Sequence, residues 1–102
     1  MTENTIEMLV VICNRENRQP IIAALKKHNT VLFNVVYGHG SAKNNSTLQA
    51  LGLDIEDKKA VIFSFINKEN VRGALDTLIN QFSFNEPNTG FAFTIPVEKA
   101  TV

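Results

Sequence analysis

The chain has 102 residues, room for one small domain spanning 1–102 and not for two. Hydrophobic residues make up 44% and charged residues 20%, globular values that exclude a disordered tail, a coiled-coil rod and a collagen-like chain. Ten Lys/Arg balance ten Asp/Glu, so no bulk basic field exists to hold nucleic acid or an anionic membrane. The one cysteine builds neither an internal disulfide nor, alone, a zinc site.

The first residues, Met1 to Thr5, carry Glu3 and no base and run straight into a strand pattern, so no signal peptide is expected. Ile6–Cys13 (IEMLVVIC) is predicted as the first strand. Its apolar run is too short to span a bilayer, and the expectation is a cytoplasmic protein with no membrane insertion. A polar break follows, and Pro20 fits the first turn of a helix, where its missing N–H would have no partner. Ile21, Ala24, Leu25 and His28 share a helical face, which predicts a helix over about Asn17 to His28. Asn29 suits a left-handed stop.

Val31–Tyr37 (VLFNVVY) is predicted as the second strand, ended by Gly38. The connection that follows is long for a compact domain. Its first half, GHGSAKNNS, is small and polar; its second, STLQALGLD, reads as a short helix capped by Ser46, stopped by Gly52 and tethered by Leu48, Leu51 and Leu53. Lys59–Ile66 (KAVIFSFI) is the third strand. Asn67 is placed to cap a second helix whose Val71, Ala74, Leu75, Leu78 and Phe82 lie on one face. Gly73 inside it predicts a close backbone contact. Phe84 to Thr89 is a loop around Pro87, and Gly90 opens the fourth strand, FAFTIPV.

The order β-α-β-β-α-β predicts a ferredoxin-like α+β sandwich: an antiparallel four-stranded sheet with two helices on one face. That topology gathers Asn14, Arg15, the 38–45 segment and the 85–90 segment at one end. The face away from the helices should then be polar. Instead both sides of the strands are apolar. Met8, Val10 and Ile12 alternate with Leu9, Val11 and Cys13; Val61, Phe63 and Phe65 with Ala60, Ile62 and Ile66; Val31, Phe33, Val35 and Tyr37 with Leu32 and Val36. The five residues after Val97 are too few to cover such a face. An exposed patch of that size marks an interface, which predicts a homo-oligomer, most simply a ring with its sheets inward.

LVVICNR at the first strand and its exit, YGHGSA after the second, LGLD before the third and TGFAFTIPV at the end resemble, as an ordered set, the PII nitrogen-regulatory signalling family, closest to its short PII-like branch. The resemblance runs over about residues 6–97. It implies a homotrimer whose sheets line the centre and whose inter-subunit clefts take adenine nucleotides (ATP, ADP, AMP or cyclic AMP), with no catalytic activity. It also implies a loop after the second strand that docks on a metabolic enzyme, transporter or regulator. In that frame Gly38, Gly40 and Ser41 form the loop base, and His39, Asn44 and Asn45 belong to the docking loop. The turn Asn88-Thr89-Gly90 wraps phosphates, and Lys43, with Arg15 or Arg18, neutralises charge. The chain departs from the main branch in its shorter loop without a tyrosine to modify, in the single glycine of the phosphate turn, and in Phe91 where a basic residue is usual.

Plainer readings stand beside these. A Gly-x-Gly is a common turn, and His39 reads by itself as a solvated loop residue. Cys13 reads as a small buried hydrophobe, and the Lys58-Lys59 pair as a solvated end. Two scattered histidines and one cysteine give no metal-ligand spacing. No basic residues interleave with the phenylalanines as a base-stacking surface would need. An acylphosphatase-like phosphatase would have only Arg15 and Asn14 for its chemistry, and a ligand-free trimeric scaffold of the same fold is the third alternative.

Overall fold

The computed structural model describes residues 5–37, 58–87 and 89–98. Its elements are β1 (Ile6–Asn14), α1 (Arg18–Lys26), β2 (Val31–Tyr37), β3 (Lys59–Asn67), α2 (Val71–Phe82) and β4 (Gly90–Val97). The sheet order is β2-β3-β1-β4 with every neighbouring pair antiparallel, the ferredoxin-like arrangement expected from the sequence. The short helix predicted after Ser46, with its leucine tethers, lies outside the described residues.

Two buried layers follow from the period-two alternation of the strands. Leu9, Val11, Cys13, Ala60, Ile62 and Ile66 face the helices and pack with Ile21, Leu25, Ala74 and Leu78. On the opposite face Val10, Val61 and Phe63 pack with Met8, Ile12, Val36 and Phe93, all of them strand residues. The register sets this second face out in rows: Val31–Phe65–Met8–Ile95, Asn34–Phe63–Val10–Phe93 and Val36–Val61–Ile12–Phe91. Asn34 is the one polar member. Among the described residues no helix packs on these rows, and Val31 and Phe91 are 63% and 58% exposed.

The strict alternation expected of β2 is broken. Its pairing with β3 shifts between Leu32 and Asn34, making Phe33 the extra residue of a bulge. Val31 therefore stands on the open face opposite Phe65, whereas Val35 and Tyr37 face the helices.

The helices also begin and end differently from expectation. A 3-10 turn at Arg15–Asn17 precedes α1, which stops at Lys26; His28 lies beyond it, and Asn29 takes the left-handed conformation with φ 61°. Asn67 starts a second 3-10 turn, Lys68–Asn70, ahead of α2 and makes no side-chain cap bond. The close contact at Gly73 is with a side chain rather than a backbone. A Cβ there would stand 3.1 Å from Nδ1 of His28, whose Nε2 pairs with Oγ1 of Thr77 at 2.8 Å. His28 thus ties the end of α1 to the middle of α2.

At the end of α2, Ser83 adopts φ 60° and the Phe84 N–H donates to the Leu78 carbonyl at 3.2 Å. This turn lays the Phe84 ring over Gly90, where an added Cβ would collide with it.

Candidate functional site

The top row of the helix-side face is Tyr37–Ala60–Cys13–Gly90. It places the exit of β1, the end of β2 and the start of β4 at one end of the molecule, as the topology predicts. Three of its four residues are small, and the elements above it fill that space: Phe84 over Gly90, and two arginines over Tyr37.

The arginines come from the exit of β1. Arg15 opens the 3-10 turn, and its N–H donates to the Lys58 carbonyl at 2.7 Å, which pins the turn to the start of β3. Arg18 follows at the head of α1, one turn on, and its Nη1 donates to the Arg15 carbonyl at 2.9 Å. Their guanidinium carbons lie 4.9 and 5.5 Å from the centre of the Tyr37 ring, within the range of cation–π attraction. Both arginines are half-buried at this rim. Nε of Arg18 is buried with no hydrogen-bond partner among the described residues. A donor left in that state costs roughly 1–3 kcal/mol.

Two lysines complete the group. Lys59 is only half exposed, and its Nζ donates to Oδ1 of Asn14 at 2.8 Å, so it is a structural partner and not the solvated end expected from the sequence. Lys58 is exposed and lines, with Asn14, Arg15, Glu16 and Arg18, a cleft of about 600 Å³. That volume lies in the range of small-molecule sites. The described lining thus carries Arg15, Arg18 and Lys58 together with Glu16.

Cys13 lies beneath this group and is fully buried. Burial pushes its thiol from 9.0 up to about 11, although Lys59 and Arg18 pull it down. It is un-ionised at neutral pH and is no nucleophile there. A thiol-specific disulfide reagent at pH 8 is expected to leave Cys13 untouched in the folded chain and to modify it on denaturation. Because the folded chain keeps the proton between pH 9 and 11 while the unfolded chain releases it, stability falls as pH rises through that window. The loss reaches roughly 2–3 kcal/mol and is absent in Cys13→Ala, which denaturant titrations of the two proteins across that window would measure.

Among the residues singled out from the sequence, Gly38, His39, Gly40, Ser41, Lys43, Asn44, Asn45 and Asn88 lie outside the described residues. Thr89 and Gly90 are in place at the top of β4. The Thr89 hydroxyl lies 2.6 Å from the Ser83 carbonyl and 2.8 Å from that of Glu86, and its single proton serves one of them at a time. Thr89 thus closes the loop back on the end of α2. Asn14 and Arg15, which the topology had brought to this end, share one cleft with Arg18. The sequence did not reveal Tyr37 as their platform; the signal available was an aromatic at the end of a strand facing two arginines on the same rim. Among the described residues no group of three His, Cys, Asp or Glu could hold a metal ion, and no helix is long and apolar enough to cross a membrane.

This fold is shared with solved PII-like nitrogen regulatory proteins. Apo CPII from Thiomonas intermedia K12, a nitrogen regulatory PII-like protein, superposes with TM-score 0.64 at 14% identity over 91% of this chain and 89% of its own. CPII solved with ADP, AMP and bicarbonate gives 0.61 at 18% identity, over 93% and 92%. A PII-like signalling protein from Thermus thermophilus gives 0.61 at 14%, over 95% and 91%. At these identities the likeness is one of fold, and the chain has the PII-like fold. No protein-family model and no curated protein matches the sequence.

Proposed function

We propose that this chain is a PII-like signal-transduction protein without catalytic activity of its own. It acts in the cytoplasm as a homotrimer and binds an adenine nucleotide or similar anionic metabolite in the clefts between subunits. It regulates a metabolic enzyme, transporter or regulator through the segment after β2. The observation that carries this reading is the open sheet face, with its rows of Val, Ile, Met and Phe. Leaving such side chains in water forgoes on the order of 1.5–3 kcal/mol each, and sister copies meeting face to face recover it. The fold shared with CPII, a protein solved with ADP and AMP, supports a nucleotide as the ligand. The cations at the top of the sheet support an anion at this end.

In this reading Gly38, Gly40, Ser41 and Lys43, with Asn88, Thr89 and Gly90, line the ligand cleft, and His39, Asn44 and Asn45 meet the partner. The test combines light scattering with titration calorimetry against ATP, ADP, AMP and cyclic AMP. The expected result is the mass of three 11.3 kDa chains and saturable heat with one of the four, lost in Gly40→Asp. A stable single chain in dilute solution overturns the reading. A trimer silent to all four nucleotides leaves a scaffold, and turnover of an acyl phosphate would move the chain to the phosphatases.

A further inference from the structure

We infer that Asn34 sets the register in which copies of this chain meet, its carboxamide bonding to the outer main-chain edge of β4 in the next copy. This role rests on the assembly through the open sheet face proposed above, and it concerns what selects one arrangement of that assembly from its alternatives.

The open face is built from rows that can replace one another. Val31–Phe65–Met8–Ile95 and Val36–Val61–Ile12–Phe91 are apolar throughout, and the row between them differs in opening on Asn34. Apolar attraction is non-directional, so sliding one such sheet past another by a row exchanges apolar groups for apolar groups. A pattern that reads alike at successive levels specifies register weakly. Asn34 breaks that equivalence. The pairing of β2 with β3 slips between Leu32 and Asn34, and beyond the slip Asn34 stands opposite Phe63 on the open face, between the levels of Val31 and Val36. It is exposed there, and its carboxamide makes no hydrogen bond among the described residues.

The occupant of the face is a second copy. Neither edge strand carries a charged residue: β2 reads VLFNVVY and β4 reads GFAFTIPV, with Pro96 the one residue of a kind that guards sheet edges. β2 and β4 are opposite edges of the sheet, so a contact from one edge to the other is heterologous, and repeated by rotation it closes into a ring. In such a ring the edge strands form the seam between copies and not the outer rim, and Asn34 stands on that seam. A carboxamide presents an acceptor and donors together, as an unpaired strand edge does. At one register the Asn34 carboxamide bonds to the main chain of β4 near Phe93, the residue that ends its row. One row away it is covered by apolar side chains and loses its water without replacement, which is the costly state of a buried polar group. A lone asparagine in an apolar coiled-coil seam selects register and copy number in the same way, at some expense in stability.

The experiment is native mass spectrometry of the intact chain over a dilution series, on the wild type, Asn34→Val and Asn80→Val. Circular dichroism checks that each is folded. Asn80 is exposed on α2, away from the open face, and controls for the loss of a surface amide. Nuclear magnetic resonance follows proton exchange of the Asn34 carboxamide in the assembled wild type, with that of Asn80 as the exposed reference. The expected result for the wild type and Asn80→Val is the single mass of three 11.3 kDa chains. Asn34→Val stays assembled and loses that single mass, spreading over more than one number of copies. The Asn34 carboxamide exchanges roughly tenfold more slowly than that of Asn80, or slower still. Asn34→Val with one mass alone, whether that of the wild type or of a single chain, overturns the inference and leaves the assembly standing. So does an Asn34 carboxamide that exchanges as fast as that of Asn80. A wild type that is a single chain in dilute solution overturns both. If Asn34→Val does not fold, the exchange measurement on the wild type decides.

Discussion

If the chain assembles through its open sheet face as proposed, Phe91→Asp is expected to yield single chains while leaving each chain folded. Phe91 sits on β4, an edge strand, opposite Ile12 on the open face, and it is 58% exposed within the subunit. Its ring meets that of Phe93 at 5.6 Å between centroids, a contact that continues the apolar row inward to Val10. A carboxylate at this exposed position remains hydrated in the single chain, so the fold loses little. In an assembly that closes over the open face it would be stripped of water with no cation in its row, Ile12, Val61 and Val36 being its neighbours across the sheet. The cost of burying an unpaired charge, several kcal/mol, is incurred once per subunit. Closed rings repeat each contact, so the effect on assembly multiplies. Light scattering should report the mass of one 11.3 kDa chain, with an unchanged far-ultraviolet dichroism spectrum. Phe91→Leu, which keeps the apolar surface, should remain assembled. An assembled Phe91→Asp protein would mean that the open face is covered in some other way.

The features legible in the sequence were those that depend on periodicity. Strand one alternates Leu9, Val11 and Cys13 with Met8, Val10 and Ile12, and the two sets lie in the two separate buried clusters. Asn29 announced a left-handed residue and is one. Features that depend on a single inserted residue or on distant partners were not legible. The bulge at Phe33 sits in an apolar run without glycine, so nothing in VLFNVVY marks where the alternation slips. Gly73 signalled a close approach, but its partner, His28, is far back in the chain and is positioned by Thr77. The same holds for the candidate site. Asn14 and Arg15 could be brought to one end by topology alone. That Tyr37 would carry both guanidinium groups, and that Lys59 would be tied to Asn14 across the β1–β3 pair, follows from side-chain packing that no spacing rule encodes. Lys59 also illustrates how a charge pair adjacent in sequence divides into different roles: Lys59, the first residue of β3, pairs with Asn14 across the sheet, while Lys58, in the turn before the strand, lines the cleft.

Gly90→Ala separates the two meanings that this glycine can have. The family resemblance makes it part of a turn that wraps phosphates, where loss of the glycine would weaken ligand binding. The structure gives it a packing reason as well: the Phe84 ring lies so close to its α-carbon that an added methyl would collide with the ring. The ring cannot simply swing aside. The Phe84 N–H is bonded to the Leu78 carbonyl, the preceding Ser83 is held in the left-handed conformation, and Thr89 ties the loop back to Ser83 and Glu86. Phe84 also packs against the main core. Overpacking at such a point costs about 1–3 kcal/mol, and denaturant titration should register that loss in the absence of any ligand. In a Phe84→Leu background the smaller side chain makes room, so the same substitution should cost much less, and the coupling between the two sites should be of the size found for residues in direct contact, roughly 0.5–3 kcal/mol. An unchanged stability in Gly90→Ala, together with weaker nucleotide binding, would assign the glycine to the ligand alone. A stability loss that disappears with Phe84→Leu while binding in the double variant stays at the wild-type level would assign it to packing.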